Sequence, residues 1–216
     1  MTRSLQPELL DALPPDHPDA RHSRRDLRLI NRLAGHHRWI AQKLPALLRD
    51  HAGERLLEIG AGTGELGLCL AARGLAPDCL DVCPRPPRWP APQAWHVADA
   101  RTFAGYAGYA VIVGNLIFHQ FSDAELRELG ATLRRTARVI VACEPARRRT
   151  TQVLLRAFGP LFGASHVTRH DAHVSVAAGF RGDELPRLLG LDGDEWAIAC
   201  RTTALGSYHL VAVRRS

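Results

Sequence analysis

The segment Leu56-Leu-Glu58-Ile-Gly60-Ala-Gly62-Thr-Gly64-Glu65 packs three glycines and two carboxylates into one short stretch. Glycines there let the backbone turn sharply and pass close to a ligand where a side chain would collide. From Gly62 the chain spells Gly-x-Gly-x-x-Gly through Gly64 and Gly67. A dinucleotide fingerprint, however, begins directly after its strand, and counted from Gly60 the sixth position is Glu65. Glu58 argues the same way, since a carboxylate at that point repels a pyrophosphate and attracts a cation. Asp81 lies about 20 residues beyond the glycines, where a carboxylate can accept both hydroxyls of a ribose. Asp99, in Val97-Ala-Asp99-Ala100, is placed to accept from an adenine amino group, and Asn115 follows a further apolar run. Together they describe a ligand with a ribose, an adenine and a positive charge. A plainer reading has Glu58 and Asp81 capping the turns that follow them and Asn115 forming one.

The elements that must hold these residues can be read from hydrophobic spacing. Arg55 to Gly60, Asp78 to Val82, Trp95 to Ala98, Tyr109 to Val113 and Arg138 to Cys143 are short apolar runs that predict strands. Glu65 to Arg73 predicts a helix, as does Ser122 to Arg135, where Ser122 is the N-cap and Glu125 completes a capping box. This alternation predicts a parallel sheet covered by helices. Trp196 to Thr203 and Tyr208 to Arg214 are separated by too few residues for a crossover, so they must pair antiparallel. The fold class is therefore α/β: a Rossmann-like, seven-stranded, mostly parallel sheet with a C-terminal antiparallel hairpin and helices on both faces. All the acidic candidates fall at C-terminal strand ends, the rim where open α/β sheets bind ligands. Residues 1 to 23 read as an irregular lead-in, and Asp26 to Arg49 as one or two helices broken around Gly35 and Pro45. The expected organisation is a helical cap over residues 1–50 and a domain over 51–216 with an insertion at about 145–182.

At 216 residues with 46% hydrophobic and 23% charged side chains, the chain suits one domain with a sizeable core. No apolar run approaches the ~20 residues a spanning helix needs, and Met1 to Glu8 has no export or lipidation signal. The expected location is cytoplasmic, without membrane insertion. Five cysteines, Cys69, Cys79, Cys83, Cys143 and Cys200, are odd in number and scattered, which predicts reduced, buried thiols. Neither a C-x-x-C pair nor spaced histidines make a zinc site, and no paired carboxylates suggest magnesium, so no metal is expected. The net charge of +6 raises the question of nucleic acid. Arg147 to Arg149 form the only basic triplet, read as contact with an acidic substrate or as a solvated helix start.

In this order and spacing, the motifs resemble those of class I S-adenosylmethionine-dependent methyltransferases. Glu58 to Gly64 is similar to the family's first motif, Asp81-Val-Cys-Pro84 to its second and Ala98-Asp99-Ala100 to its third, over roughly residues 50 to 214. The resemblance implies S-adenosyl-L-methionine as cofactor, held by Glu58, Gly60, Ala61, Gly62, Asp81, Val82, Asp99, Ala100 and Asn115. Gly60 and Gly62 would face its methionine part, Asp81 the ribose and Asp99 the adenine. Asn115-Leu-Ile-Phe-His119 is similar to the segment after the fourth strand in small-molecule members. A finer resemblance rests on Pro7-Glu8-Leu-Leu-Asp11, Asp26-Leu-Arg28, Asn31-Arg32 and Ser175-Val176. It is to short bacterial methyltransferases that accompany type III polyketide synthases, distantly related to those of ubiquinone and menaquinone biosynthesis. This implies secondary metabolism, a phenolic, enolic, quinol or pyrone-like acceptor, and O- or C-methylation by a monomer or homodimer.

Methyl transfer needs a base only when the acceptor starts protonated. His119 stands where the methyl should emerge, as a base or as plain pocket wall. His170, with Asp171 as its orienting carboxylate, is a second candidate, as is His173; the alternative is that His170 and Asp171 bond backbone groups in a loop. Two further functions compete. A nucleic-acid methyltransferase would carry an Asn-Pro-Pro-Tyr-like turn where this chain has Asn115-Leu-Ile-Phe, or a proline-flanked nucleophile that Cys143 lacks, so no nucleic acid is expected. A non-catalytic S-adenosylmethionine-binding protein ranks third.

Overall fold

Apolar runs that must be buried on both faces form the centre of the molecule. The structure, a computed structural model, describes residues 2–14, 16–51, 53–87, 89, 93–158 and 164–215. Seven strands make one sheet: β1 (Leu56–Ile59), β2 (Asp78–Asp81), β3 (Trp95–Val97), β4 (Val111–Asn115), β5 (Val139–Pro145), β6 (Trp196–Thr202) and β7 (Ser207–Arg214). Their order is β3-β2-β1-β4-β5-β7-β6. The first five are parallel to one another, and β7 pairs antiparallel with both β5 and β6. The Rossmann-like α/β reading with its terminal hairpin therefore holds.

Seven helices accompany the sheet: α1 (Pro18–Ala34), α2 (His36–Leu47), α3 (Glu65–Ala71), α4 (Asp123–Thr136), α5 (Arg149–Phe158), α6 (His166–Ala178) and α7 (Glu184–Leu188). Alternation along each strand sorts the core into two layers. Leu57, Ile59, Ile112 and Ile140 pack with Leu126, Leu129 and Leu133 of α4, while Leu56, Val111, Val113, Val139 and Val141 pack with Ile40 and Leu44 of α2 and with Leu66 and Leu70 of α3. The capping box of Ser122 and Glu125 is present at the start of α4.

Three expectations need correction. The first 23 residues are not all irregular, because α1 begins at Pro18, a residue suited to a first helical position, with the His17 ring accepting from the Asp19 amide. Residues 166 to 173 are not loop: Ser165 caps a helix there by accepting from the Thr168 amide. Of the cysteines, Cys79 and Cys143 are buried but Cys83 is exposed. The sequence over Thr151 to Phe162 reads as helical, and the structure forms α5 there as far as Phe158; positions 159–163 lie outside the described residues. No described helix is long and apolar enough to cross a membrane.

Candidate active site

Strand order reverses between β1 and β4, and at such a point the two following connections diverge and leave a crevice. A cavity of about 860 Å³ opens there. Its wall brings together Glu58, Gly60, Ala61, Gly62, Asp81, Val82, Asp99, Ala100, Asn115 and His119, which the sequence had placed at separate strand ends.

The glycine turn adopts conformations that other residues avoid, with φ of 68° at Gly60 and 59° at Gly62. A Cβ on Gly60 would strike the Ile117 side chain at 2.6 Å, whereas one on Gly62 would meet no protein atom within 4 Å. Gly62 thus keeps open a cradle that a ligand can enter, with Glu58, Asp81 and Asp99 on the same cavity wall. Glu58 is 2% exposed. Burial pushes its carboxyl up to about 8; the Cys79 thiol, donating over 3.4 Å, opposes this, while Asp81 and Glu65 add to it. Asp81 accepts from the amides of Gly62 at 2.7 Å and Cys83 at 2.8 Å, so it fixes the two turns that flank the cradle. Asp99 is held by Arg101, which also reaches Glu125 at 2.5 Å. The Arg101 guanidinium keeps the Asp99 carboxyl below its ordinary value.

His119 is bracketed by two carboxylates. Its Nδ1 lies 2.7 Å from Glu144 and its Nε2 3.4 Å from Glu8. Burial alone would lower its pKa, but hydrogen bonds and charge from Glu144 and Glu8 outweigh burial and raise it to about 9. At neutral pH the ring is an imidazolium with both nitrogens engaged, which is the wrong state for a general base. Glu144, fully buried, also accepts from the amides of Ile117, Phe118 and His119. Those amides converge because Leu116 takes a positive φ of 59°, rare for a branched residue. Glu144 escaped the sequence reading, although a carboxylate ending the fifth strand was its signal.

His170 stands apart from the cavity wall. Its ring is exposed and its Nδ1 meets Asp171 at 3.0 Å. Asp171 accepts from the amides of Leu9 at 2.7 Å and Leu10 at 3.0 Å, so it anchors the N-terminal segment, from a helix and not from a loop. His173 is half-buried, and its carbonyl accepts from Gln152. Glu8 reaches the wall from that segment, bonded to the Ser175 hydroxyl. Arg3 ties the segment down further, donating to Asp123 and to the carbonyls of His119, Phe121 and Ala178. Arg147 is not a substrate contact, being 3% exposed and bonded to Glu184 and the Gly179 carbonyl; Arg148 and Arg149 are exposed at the start of α5.

A second polar group lines the opposite flank. Asn31, His36 and Ser207 come from α1, α2 and the start of β7, and Asn115 joins them from the end of β4. None but Asn115 was predicted to serve the site. Among the described residues no cluster of histidine, cysteine or carboxylate side chains could hold a metal ion.

No family model matches the chain, and no curated protein matches it in sequence. Solved structures do match. The plantazolicin methyltransferase BpumL, in complex with SAH, superposes with a TM-score of 0.72 at 12% identity, covering 96% of this chain and 93% of that one. Magnesium protoporphyrin IX methyltransferase (ChlM) from Synechocystis PCC 6803, with bound SAH, gives 0.52 at 16% identity over 84% of each chain. A structure described as the conversion of a disulfide bond into a thioacetal group during echinomycin biosynthesis gives 0.56 at 20% identity over 81% of each. At these identities the likeness is one of fold, and the fold of this chain is the Rossmann-like fold of those methyltransferases.

Proposed function

We propose that the protein transfers a methyl group from S-adenosyl-L-methionine to a small hydroxyl-bearing acceptor of phenolic, enolic, quinol or pyrone-like kind. The observation that carries the reading is the convergence of Glu58, the Gly60 to Gly64 cradle, Asp81 and Asp99 on one cavity at the reversal of strand order. The SAH complexes of BpumL and ChlM support it by fold. When bound, the cofactor supplies an electrophilic methyl on a sulfonium whose charge disappears on transfer. Glu58 would meet its cationic amino acid end, Asp81 the ribose hydroxyls, and Asp99 with Ala100 the adenine. Residues 1–50 and the insertion at about 145–182 would cover the acceptor, since Glu8, Asn31, His36 and Ser175 all line the cavity. Excluding water and fixing the line of approach supply much of the acceleration such a displacement needs.

The experiment is calorimetry with S-adenosylmethionine, followed by a methylation screen against a phenolic panel and bulk RNA. Binding together with transfer to a panel member is expected. Absence of binding at millimolar ligand overturns the reading, and methylation of RNA alone overturns the acceptor class.

A further inference from the structure

Two of the cavity histidines, His119 and His36, are in opposite states. His119, between Glu144 and Glu8, is positive, whereas His36 has no carboxylate partner: its Nδ1 lies 2.9 Å from Asn31 Oδ1 and its Nε2 2.7 Å from Ser207 Oγ. Asn31 Oδ1 also accepts from the Asn115 amide nitrogen at 3.3 Å. An oxygen only accepts, so His36 Nδ1 carries the hydrogen and Nε2 is bare. A bare Nε2 must accept from Ser207, so the hydroxyl hydrogen points to His36 and the serine lone pairs are left for the cavity. Asn115 Oδ1 is likewise buried without a partner. Strand register explains the meeting: Ser207 pairs with Pro145 at the top of β5, beside Asn115, which pairs with Cys143. This flank therefore offers acceptors to whatever enters, and a neutral O–H is the group that satisfies them.

We propose that Ser207, His36 and Asn31 form a proton relay that receives the proton of a neutral hydroxyl acceptor. The inference rests on the methyltransfer reading above. The acceptor hydroxyl donates to Ser207 Oγ. As the methyl shifts, the acceptor proton passes to Ser207 Oγ and the serine proton passes to His36 Nε2. The oxygen pair left by the proton remains on the product ether; the pair that forms the new O–C bond comes from the same oxygen, and the pair of the old C–S bond stays on sulfur. Asn31 holds the ring through Nδ1 and fixes its tautomer.

His36 is 4% exposed. Burial, with His209 of β7 and the adjacent His37 as like charges, lowers its pKa to about 4 against a small opposing bond from Asn115. So weak a base still suffices. An alcohol or phenol oxygen that gains a methyl becomes an oxonium, far more acidic than imidazolium, so proton transfer late in the step runs downhill. The low pKa keeps Nε2 bare across the physiological range.

The test uses the full chain with isotopically labelled histidine. With S-adenosylhomocysteine present at neutral pH, nitrogen NMR should find His36 as the Nδ1–H tautomer. Adding 4-methoxyphenol, un-ionised at neutral pH, as probe should move its Nε2 resonance in the wild type and not in Ser207→Ala. A protonated His36, the Nε2–H tautomer, or an unmoved wild-type resonance overturns the relay whether or not turnover is seen, so its failure is separate from failure of the methyltransfer reading. On any hydroxyl acceptor that the wild type methylates, His36→Gln should lower kcat about 100-fold near neutrality with KM for the methyl donor held within about twofold. Its remaining rate should climb about tenfold per pH unit as the acceptor ionises unaided, while the wild type stays flat. An equal loss at every pH means a structural role and overturns the proposal. Ser207→Ala carries the same kinetic test should His36→Gln not fold.

Discussion

At the scale of single residues, Glu58 and His119 tie ligand binding and stability to pH. The Glu58 carboxyl, raised to about 8 from an ordinary 4.5, is mainly protonated in the free protein at neutral pH. A cationic ligand needs it ionised, so donor binding should release a proton and tighten as pH rises, levelling above about 8. Calorimetry in two buffers of different ionisation enthalpy measures that release; Glu58→Gln should bind at least about tenfold more weakly with none of it. An unchanged proton release in the variant would assign it to another group. His119, whose pKa is also raised, bears on stability, and its contribution runs the other way with pH. Its folded-state pKa of about 9 exceeds the ordinary 6.5, so its contribution is complete below 6.5 and is lost as pH rises through 9. Thermal unfolding of the free protein should show Tm falling across that window, and His119→Gln should flatten the fall while lowering Tm near neutrality, since Glu144 is left buried without its cation. A wild-type Tm that is flat from 6.5 to 9 contradicts a charged His119.

At the scale of elements, the N-terminal segment is held by side chains rather than by a sheet or helix of its own. Asp171 accepts two of its amides, Glu8 bonds Ser175, and Arg3 grips three carbonyls. Asp171→Asn turns one acceptor oxygen into a donor that faces an amide hydrogen, at a cost of about 1–3 kcal/mol. The expected outcome is faster hydrogen exchange at Leu9 and Leu10 and a lower titration midpoint for His119, because Glu8 leaves with the segment. Protection unchanged at those amides would mean that Arg3, Ser4 and Glu8 hold the segment without Asp171. The same elements mark where the sequence was readable. β1 to β5 and α4 announced themselves by apolar runs and a capping box, both local signals. α6 did not, because it buries Thr168 and Asp171 alongside Val167 and Val174 and so blurs the helical period. The cavity wall of Glu58, the glycine turn, Asp81 and Asp99 was legible since each motif is contiguous. The flank of His36 and Ser207 was not: they are 171 residues apart, and only the antiparallel return of β7 brings them together.

At the scale of the whole molecule, the charge of +6 and the character of the cavity run opposite to each other. Glu8, Asp11, Glu58, Asp81, Asp99 and Asp171 all line the wall, and Asp11 is pushed up by burial and then by Glu8 and Asp171. Arg24, Arg28 and Arg101 line the wall too but are outnumbered by its carboxylates, and Arg147, the one buried member of the arginine triplet, pairs with Glu184. A carboxylate-rich cleft in a basic protein favours a cation inside it by field as well as by contact. S-adenosylmethionine and S-adenosylhomocysteine differ by one methyl and one positive charge, so comparing them isolates the field. S-adenosylmethionine should bind more tightly at low ionic strength. Salt near 1 M, where the Debye length is about 3 Å, should screen the exposed carboxylates and narrow the gap. It should not close the gap, because Glu58 is buried beyond the reach of solvent ions. Titrating both ligands at low and high salt checks this. Equal affinities at low salt would mean that the basic residues cancel the carboxylates and that the cleft does not select for charge, whereas a salt-independent preference would place the whole effect on Glu58.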